Sequence, residues 1–306
     1  MEPPAIDAAA ARRARNRAAK RGAGMSKLAD EIAARMDARL DYVKHDPRRI
    51  LDVGSGSAAI AEKLRRRYPK SEFIALDSAI EKLRGSQPLR GTAARALAAI
   101  GIGASPVPRA LAAESGLLPL ADASIDLVWS NLALHRSHDP LPVLREMHRV
   151  LAIGGLLMFS TFGPDTLKEL RAAFAMADPG LLHVHGFVDM HDLGDMLVQT
   201  GFAAPVMDME TMTVTYGDFP ALARDLKSSG DTNALAARRR GLGGRAWWAR
   251  VGAAYEAWRN QDRLPATFEI VHGHAWKAKP KSAPADPQPV RFHTSARMRG
   301  NSGSGS

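Results

Sequence analysis

The 306-residue chain has no cysteine. That excludes disulfides and thiolate metal sites and points to a reducing cytoplasm. It also lacks any apolar run near the roughly 20 residues that cross a bilayer, so no membrane partner is expected. The arginine- and alanine-rich start has no apolar stretch of the signal-peptide kind and does not read as a secretory signal. No basic stretch is interleaved with aromatics and no RNA-binding module is visible, which argues against nucleic acid as a partner. Internal repeats are absent as well.

Net charge is +10, and its distribution carries more than its size. Residues 1–27 hold seven Lys/Arg against two acids, residues 224–263 nine against four, and residues 277–306 six against one. Each block is therefore +5, and the rest of the chain sums to about −5. A mildly acidic body carries basic appendages, which suit either an acidic partner or plain solvation. Residues 1–25 read as a basic flexible terminus. Residues 278–306, rich in Pro, Ser and Gly with little apolar content, read as a disordered tail. Residues 26–277 are long enough to bury the core of one α/β domain.

What the chain does have is a strand, a glycine turn and a helix start. Ile50, Leu51 and Val53 form an apolar run that meets Gly54 and Gly56, and Ile60, Ala61 and Leu64 follow at helical spacing. This geometry lets backbone N–H groups approach a nucleotide-like ligand. A second apolar run, Phe73 to Leu76, ends in Asp77, 23 residues after Gly54. A carboxylate there is placed to accept hydrogen bonds from ribose hydroxyls. A dinucleotide site would want a third glycine, and Ala58 and Ala59 stand where it would fall.

Further strands and helices alternate, which predicts a mostly parallel sheet with helices on both faces. Ile125 to Ser130 reads as a strand leading to Asn131, and the loop from Asn131 to Asp139 would lie where open α/β sheets bind ligands. Val143 to Leu151 reads as an amphipathic helix ended by Gly154-Gly155, before a strand over 156–162. A helix closed by Gly201, a strand over 205–210 and a last strand over 268–276 follow, with an irregular stretch earlier at 85–105. Between the final strands, residues 217–263 hold helical stretches that would form a lid over the mouth of the nucleotide-like ligand's site, where substrate choice would be made.

Asp52-Val-Gly54-Ser-Gly56-Ser-Ala58 resembles motif I of the class I S-adenosylmethionine methyltransferases, which usually have glycine where Ala58 stands. Glu114 to Val128 resembles another stretch of the same superfamily, with Glu114 in place of its usual aspartate. The resemblance implies a Rossmann-like seven-stranded fold and S-adenosylmethionine as cofactor. Asp52, Gly54 and Gly56 would hold its amino-acid end, Asp77 its ribose, Glu114 its adenine, and Asn131 would lie beside it.

Thr161 to Leu170, Gly186 to Asp195, Gly201 to Asp208, Leu264 to Phe268 and Gly273 to Trp276 are more distinctive. Together they resemble the malonyl-[acyl-carrier protein] O-methyltransferase family of biotin synthesis, from about residue 26 to 277. The chain departs from the family at its N-terminal pattern F-x-R-A-A-x-x-Y-D, which here reads Arg15-Asn-Arg-Ala-Ala-Lys-Arg-Gly22-Ala23. It departs again at His135-Arg136-Ser137, where an aromatic is common.

The family's acceptor is the free carboxylate of a malonyl thioester on acyl carrier protein. A carboxylate is ionised at neutral pH, so alignment and a cation are needed rather than a general base. His135 and Arg136 are the candidate catalytic residues, with Arg245 from the lid behind them. Arg238-Arg-Arg240 would offer a basic docking surface to an acidic carrier, or a solvated helix end. His183/His185 and His272/His274 share strand-like spacing but have no further ligand nearby in sequence, so no metal is expected. A sister group of methyltransferase-like arginine hydroxylases, which assist respiratory complex I assembly, shares most of these segments. A non-catalytic cofactor-binding scaffold is the third reading.

Overall fold

The computed structural model describes residues 5–21, 26–54, 58–86, 109–241 and 243–279. Gly56, the side chain of Ala58, nearly all of the irregular stretch at 85–105 and nearly all of the tail from 278 lie outside the description.

Seven strands form one sheet in the order β3-β2-β1-β4-β5-β7-β6. They are β1 (Arg49–Val53), β2 (Glu72–Leu76), β3 (Arg109–Leu111), β4 (Ile125–Asn131), β5 (Leu151–Phe162), β6 (Phe202–Tyr216) and β7 (Leu264–Lys277). The first five run parallel, and β7 inserts antiparallel between β5 and β6. This is the Rossmann-like class I methyltransferase architecture. β1 and β4 are almost wholly buried, as apolar strands covered on both faces should be.

The helices are α1 (Ala8–Arg21), α2 (Ser26–Arg39), α3 (Ala58–Arg67), α4 (Ile80–Ser86), α5 (Pro140–Val150), α6 (Lys168–Ala177), α7 (Met190–Thr200), α8 (Phe219–Ser229) and α9 (Arg245–Glu256). On α2, Leu28, Ile32, Met36 and the following Leu40 are all buried, the single apolar face that their spacing predicts. Asp139 caps α5 through Leu141 N–H with Pro140 at its start, and Asp189 caps α7 through His191 N–H. Gly201 ends α7 at φ +97°, a left-handed conformation that suits glycine.

Three expectations about the chain need correction. Residues 8–21 of the supposedly flexible terminus are helix α1, with Ala14, Arg15 and Ala18 buried. It packs between α4 and α8, where Gly230 has no Cβ to collide with the Arg15 backbone, 2.9 Å from where that Cβ would stand. Second, β5 starts at Leu151 directly after α5, so Gly154-Gly155 lies inside a strand whose register shifts there, not at a helix end. Third, β6 is far longer than residues 205–210, because β7 pairs with it all the way to Leu264. No helix among the described residues is long and apolar enough to cross a membrane.

Leu144 on α5 is fully buried against the sheet. Leu144→Ala is expected to cost about 2–5 kcal/mol, read as a lower urea midpoint with an unchanged slope.

Candidate active site

Two cavities open at the carboxyl ends of the parallel strands, and both are bounded by α1. The first, about 250 Å³, lies over the ends of β1 and β2 and is walled by Gly54, Asp77, Ser78, Glu114 and Ala133. The second, about 380 Å³, is mostly apolar, with Phe162, Phe174 and Phe268 below and Leu222, Trp247 and Trp248 from the β6–β7 insertion above. The insertion thus roofs the apolar chamber; none of its described residues lines the first cavity, where the lid is expected from sequence. Arg15 and Arg136 line both cavities and stand where they meet.

The first cavity suits a nucleoside. Gly54 follows β1 at φ +80°, its N–H donating to Leu76 O at 2.8 Å. A Cβ there would come within 2.4 Å of Ala133 Cβ, so only glycine leaves this approach open. Asp77 is buried; its Oδ1 accepts from Ala79 N–H at 2.6 Å and its Oδ2 accepts from Arg15. Glu114 is half-exposed and pairs with Arg12 at 3.0 Å. Asp52 is buried one residue before the end of β1. These groups fit the nucleoside part of S-adenosylmethionine: a turn without Cβ, a carboxylate at the β2 end and a second acid across the cavity.

Asn131 is the exception. Its Nδ2 donates to Ala29 O at 3.0 Å and its Oδ1 accepts from Ser160 Oγ at 2.8 Å. It pins α2 to the sheet and is absent from the walls of both cavities.

The chain's two catalytic candidates separate. His135 is buried against Phe162 and Phe187, with ring centroids 4.6 and 5.9 Å away. Burial, then the charge of Arg136, lowers its pKa to about 3, so it is neutral at pH 7 and cannot serve as the cation expected from sequence. Arg136 is lowered to about 10, first by burial and then by Arg15, and keeps its charge. Its Nε and Nη1 are buried without hydrogen-bond partners, and Asp231 stands 3.8 Å from Nε. Burial pushes the Asp231 carboxyl up, but Arg136 and its neighbours outweigh that and hold it below the usual range. Lys82 is lowered by burial and by the same two arginines.

The insertion's candidates also part company. Arg238 pairs with Asp7 at 3.0 Å and donates to Leu235 O, which ties the start of the chain to the lid and removes it from any docking role. Arg245 opens α9, fully outside, and lines neither cavity. Three histidines of the two pairs are held within the fold: His183 by Asp178, His185 by Ala234 N–H, and His272 by Glu210. Among the described residues no three His, Cys, Asp or Glu side chains are grouped to hold a metal ion.

Residues 51–159 match the family model "Methyltransferase domain". The malonyl-[acyl-carrier protein] O-methyltransferase of Laribacter hongkongensis is 48% identical over 88% of this chain and 90% of its own length. The protein of the same name from Gallionella capsiferriformans is 46% identical over 90% and 93%. The chain belongs to the malonyl-[acyl-carrier protein] O-methyltransferase family. At the level of fold alone, the crystal structure of YcgJ from Bacillus subtilis superposes with a TM-score of 0.52 at 15% identity, over 80% of this chain and 98% of that one.

Against the family's pattern, Arg15 stands where the N-terminal motif opens on phenylalanine, and Arg136 lies in the loop where an aromatic is common. Sequence reasoning missed Arg12, Arg15 and Asp231. Arg12 and Arg15 meet acids 102 and 62 positions away, and no local spacing announces such pairs. Their i,i+3 placement on one helix face was the one available hint.

Gly54→Ala is expected to weaken S-adenosylhomocysteine binding at least tenfold by calorimetry, since both the left-handed φ and the Ala133 contact oppose a side chain. For His135 the sign is fixed by its depressed folded pKa. The unfolded chain takes up its proton first, so stability is lost as pH falls from about 6.5 towards 3. His135→Leu should therefore flatten the pH dependence of the melting temperature across that window.

Proposed function

We propose that the chain is an S-adenosylmethionine-dependent O-methyltransferase acting on the free carboxylate of a malonyl thioester on acyl carrier protein, a step of biotin synthesis. The observation that carries this reading is the buried, charged Arg136, whose Nε and Nη1 make no hydrogen bond, where the cavity over β1 and β2 meets the apolar chamber. Asp231, 3.8 Å away, balances its charge without a hydrogen bond, and a carboxylate ligand would supply one. The relatives named above carry this activity in their names, and a cysteine-free chain suits a cytoplasmic setting.

When bound, S-adenosylmethionine supplies an electrophilic methyl group on a cationic sulfur. Asp77 would hold its ribose and Glu114 its adenine edge, while the turn at Gly54 gives its tail room at the end of β1. On the acceptor side the carboxylate is already ionised, so no residue has to remove a proton. Arg136 orients it through the guanidinium, donating to one oxygen while the other stays free to attack. Neutral His135 adds bulk beside it without a competing charge. The aromatic chamber excludes water and houses the uncharged thioester arm. Orientation of this kind is worth about 7–11 kcal/mol of the barrier. Esterification removes the negative charge, so the product loses its hold on Arg136 and is released.

Arg245 and Arg250 are exposed on α9, the helix whose Trp247 and Trp248 line the chamber, a suitable footing for an acidic carrier.

Labelled S-adenosylmethionine with malonyl-loaded carrier protein tests the reading: malonyl methyl ester should form, and its absence refutes it. Arg136→Leu should lower kcat/KM about 10- to 100-fold, the worth of one charge-assisted contact, with Arg136→Lys retaining part. Arg245→Glu combined with Arg250→Glu should raise KM for the loaded carrier about fivefold and blunt its salt dependence.

A further inference from the structure

Both acids that face the nucleoside cavity are held by one helix. Arg12 and Arg15, three residues apart on α1, pair with Glu114 and Asp77 respectively. The Arg12 pair is half-exposed and weak, but the Arg15 pair is almost completely buried. Asp77 has its Oδ1 on Ala79 N–H and its Oδ2 on Arg15, so a ribose that takes both oxygens competes with the guanidinium. With the guanidinium in place the Asp77 side chain is fully covered, so a ribose has to displace a neighbour to reach it.

The guanidinium has somewhere to go. Arg15 also walls the apolar chamber beside Arg136, and its Nε is buried without a partner. Its backbone is pressed against Gly230, and α1 is tied to the lid through Asp7 N–H on Ala234 O and through Arg238 on Asp7. The helix can therefore stay docked while the side chain swings.

Charge decides the direction. A ribose is neutral, so when it replaces Arg15 on Asp77 it leaves one buried positive charge unbalanced, next to a second at Arg136. Lys82 adds to the positive side, with Asp231 the nearby compensating acid. A carboxylate arriving between Arg15 and Arg136 restores the balance.

We infer that Arg15 is a second acceptor ligand held in reserve on Asp77: cofactor binding displaces it, and it then joins Arg136 on the acceptor carboxylate, so the cofactor binds first and each ligand strengthens the other. The inference rests on the proposed reading only in taking the acceptor to be a carboxylate. The coupling is reciprocal, since ribose and anion both draw on the same released charge.

The test is calorimetry with S-adenosylhomocysteine on the full chain, with and without sodium malonate at constant ionic strength. Wild type should bind the nucleoside about fivefold or more tightly when malonate is present. Arg15→Gln, which frees Asp77, should bind it about fivefold more tightly without malonate and gain less than about twofold on adding it. Arg15→Lys, which keeps a cation against Asp77, should stay within about twofold of wild type in both conditions. Melting curves verify that each variant is folded before titration, and a variant that does not fold is replaced by Arg15→Phe, the residue of the family pattern. Unchanged or weaker nucleoside binding by Arg15→Gln, or a full malonate effect in it, overturns the inference. Tightening by Arg15→Lys equal to that of Arg15→Gln also overturns it, because packing rather than charge would then be responsible. Failure of the substrate reading shows separately, as absent methyl ester with malonyl carrier protein while these affinities stand as stated.

Discussion

Charge buried at the carboxyl edge of the sheet is the constraint around which this site is arranged. Arg15, Arg136 and Lys82 lie close to Asp77 and Asp231 in a region walled by aromatic and aliphatic side chains. Desolvated charges of this kind persist only when opposite charges or ligands compensate them. In the protein alone, Arg15 answers Asp77 and Asp231 answers Arg136. With a neutral ribose and an anionic acceptor present, the same charges have a second balanced arrangement. Methyl transfer from a sulfonium to a carboxylate is a reaction that such a site can serve without an acid or a base of its own.

The fold provides this arrangement by separating tasks. The parallel half of the sheet, β3 through β5, holds the nucleoside cavity at its strand ends, with Gly54 and Asp77 at the ends of adjacent strands. The antiparallel pair β6 and β7 carries the insertion whose helices α8 and α9 roof the apolar chamber. Helix α1 crosses from one to the other. It is fastened to the lid at Asp7 and reaches the nucleoside acids through Arg12 and Arg15. A molecule without α1 would have two adjacent hollows; with it, the hollows share a wall and a pair of cations.

Much of the architecture was legible because it is written in short-range patterns. Apolar runs of strand length, a glycine turn and an acid at the next strand end all depend on near neighbours in the chain. The cofactor face was legible for the same reason: Gly54 and Asp77 belong to two consecutive β–turn units. The acceptor face was legible only in part. Arg136 could be picked out as a basic residue on a ligand-side loop, but its neighbour His135 looked equally cationic, and only the packing of Phe162 and Phe187 around the ring makes it neutral. Arg238 looked like free surface charge until Asp7, far away in the chain, was found against it.

The amino-acid order alone settled the sheet class and the family, since these follow from local periodicity and from motifs a few residues long. Three-dimensional packing alone decided which charges are buried, which are paired, and that the basic N-terminal segment is a wall of the site instead of a loose end. The physical reason is that a side chain's charge state and partners are set by desolvation and by groups a few ångströms away in space. Those groups can lie far apart in the chain, as Arg15 and Asp77 do at 62 positions and Arg12 and Glu114 at 102.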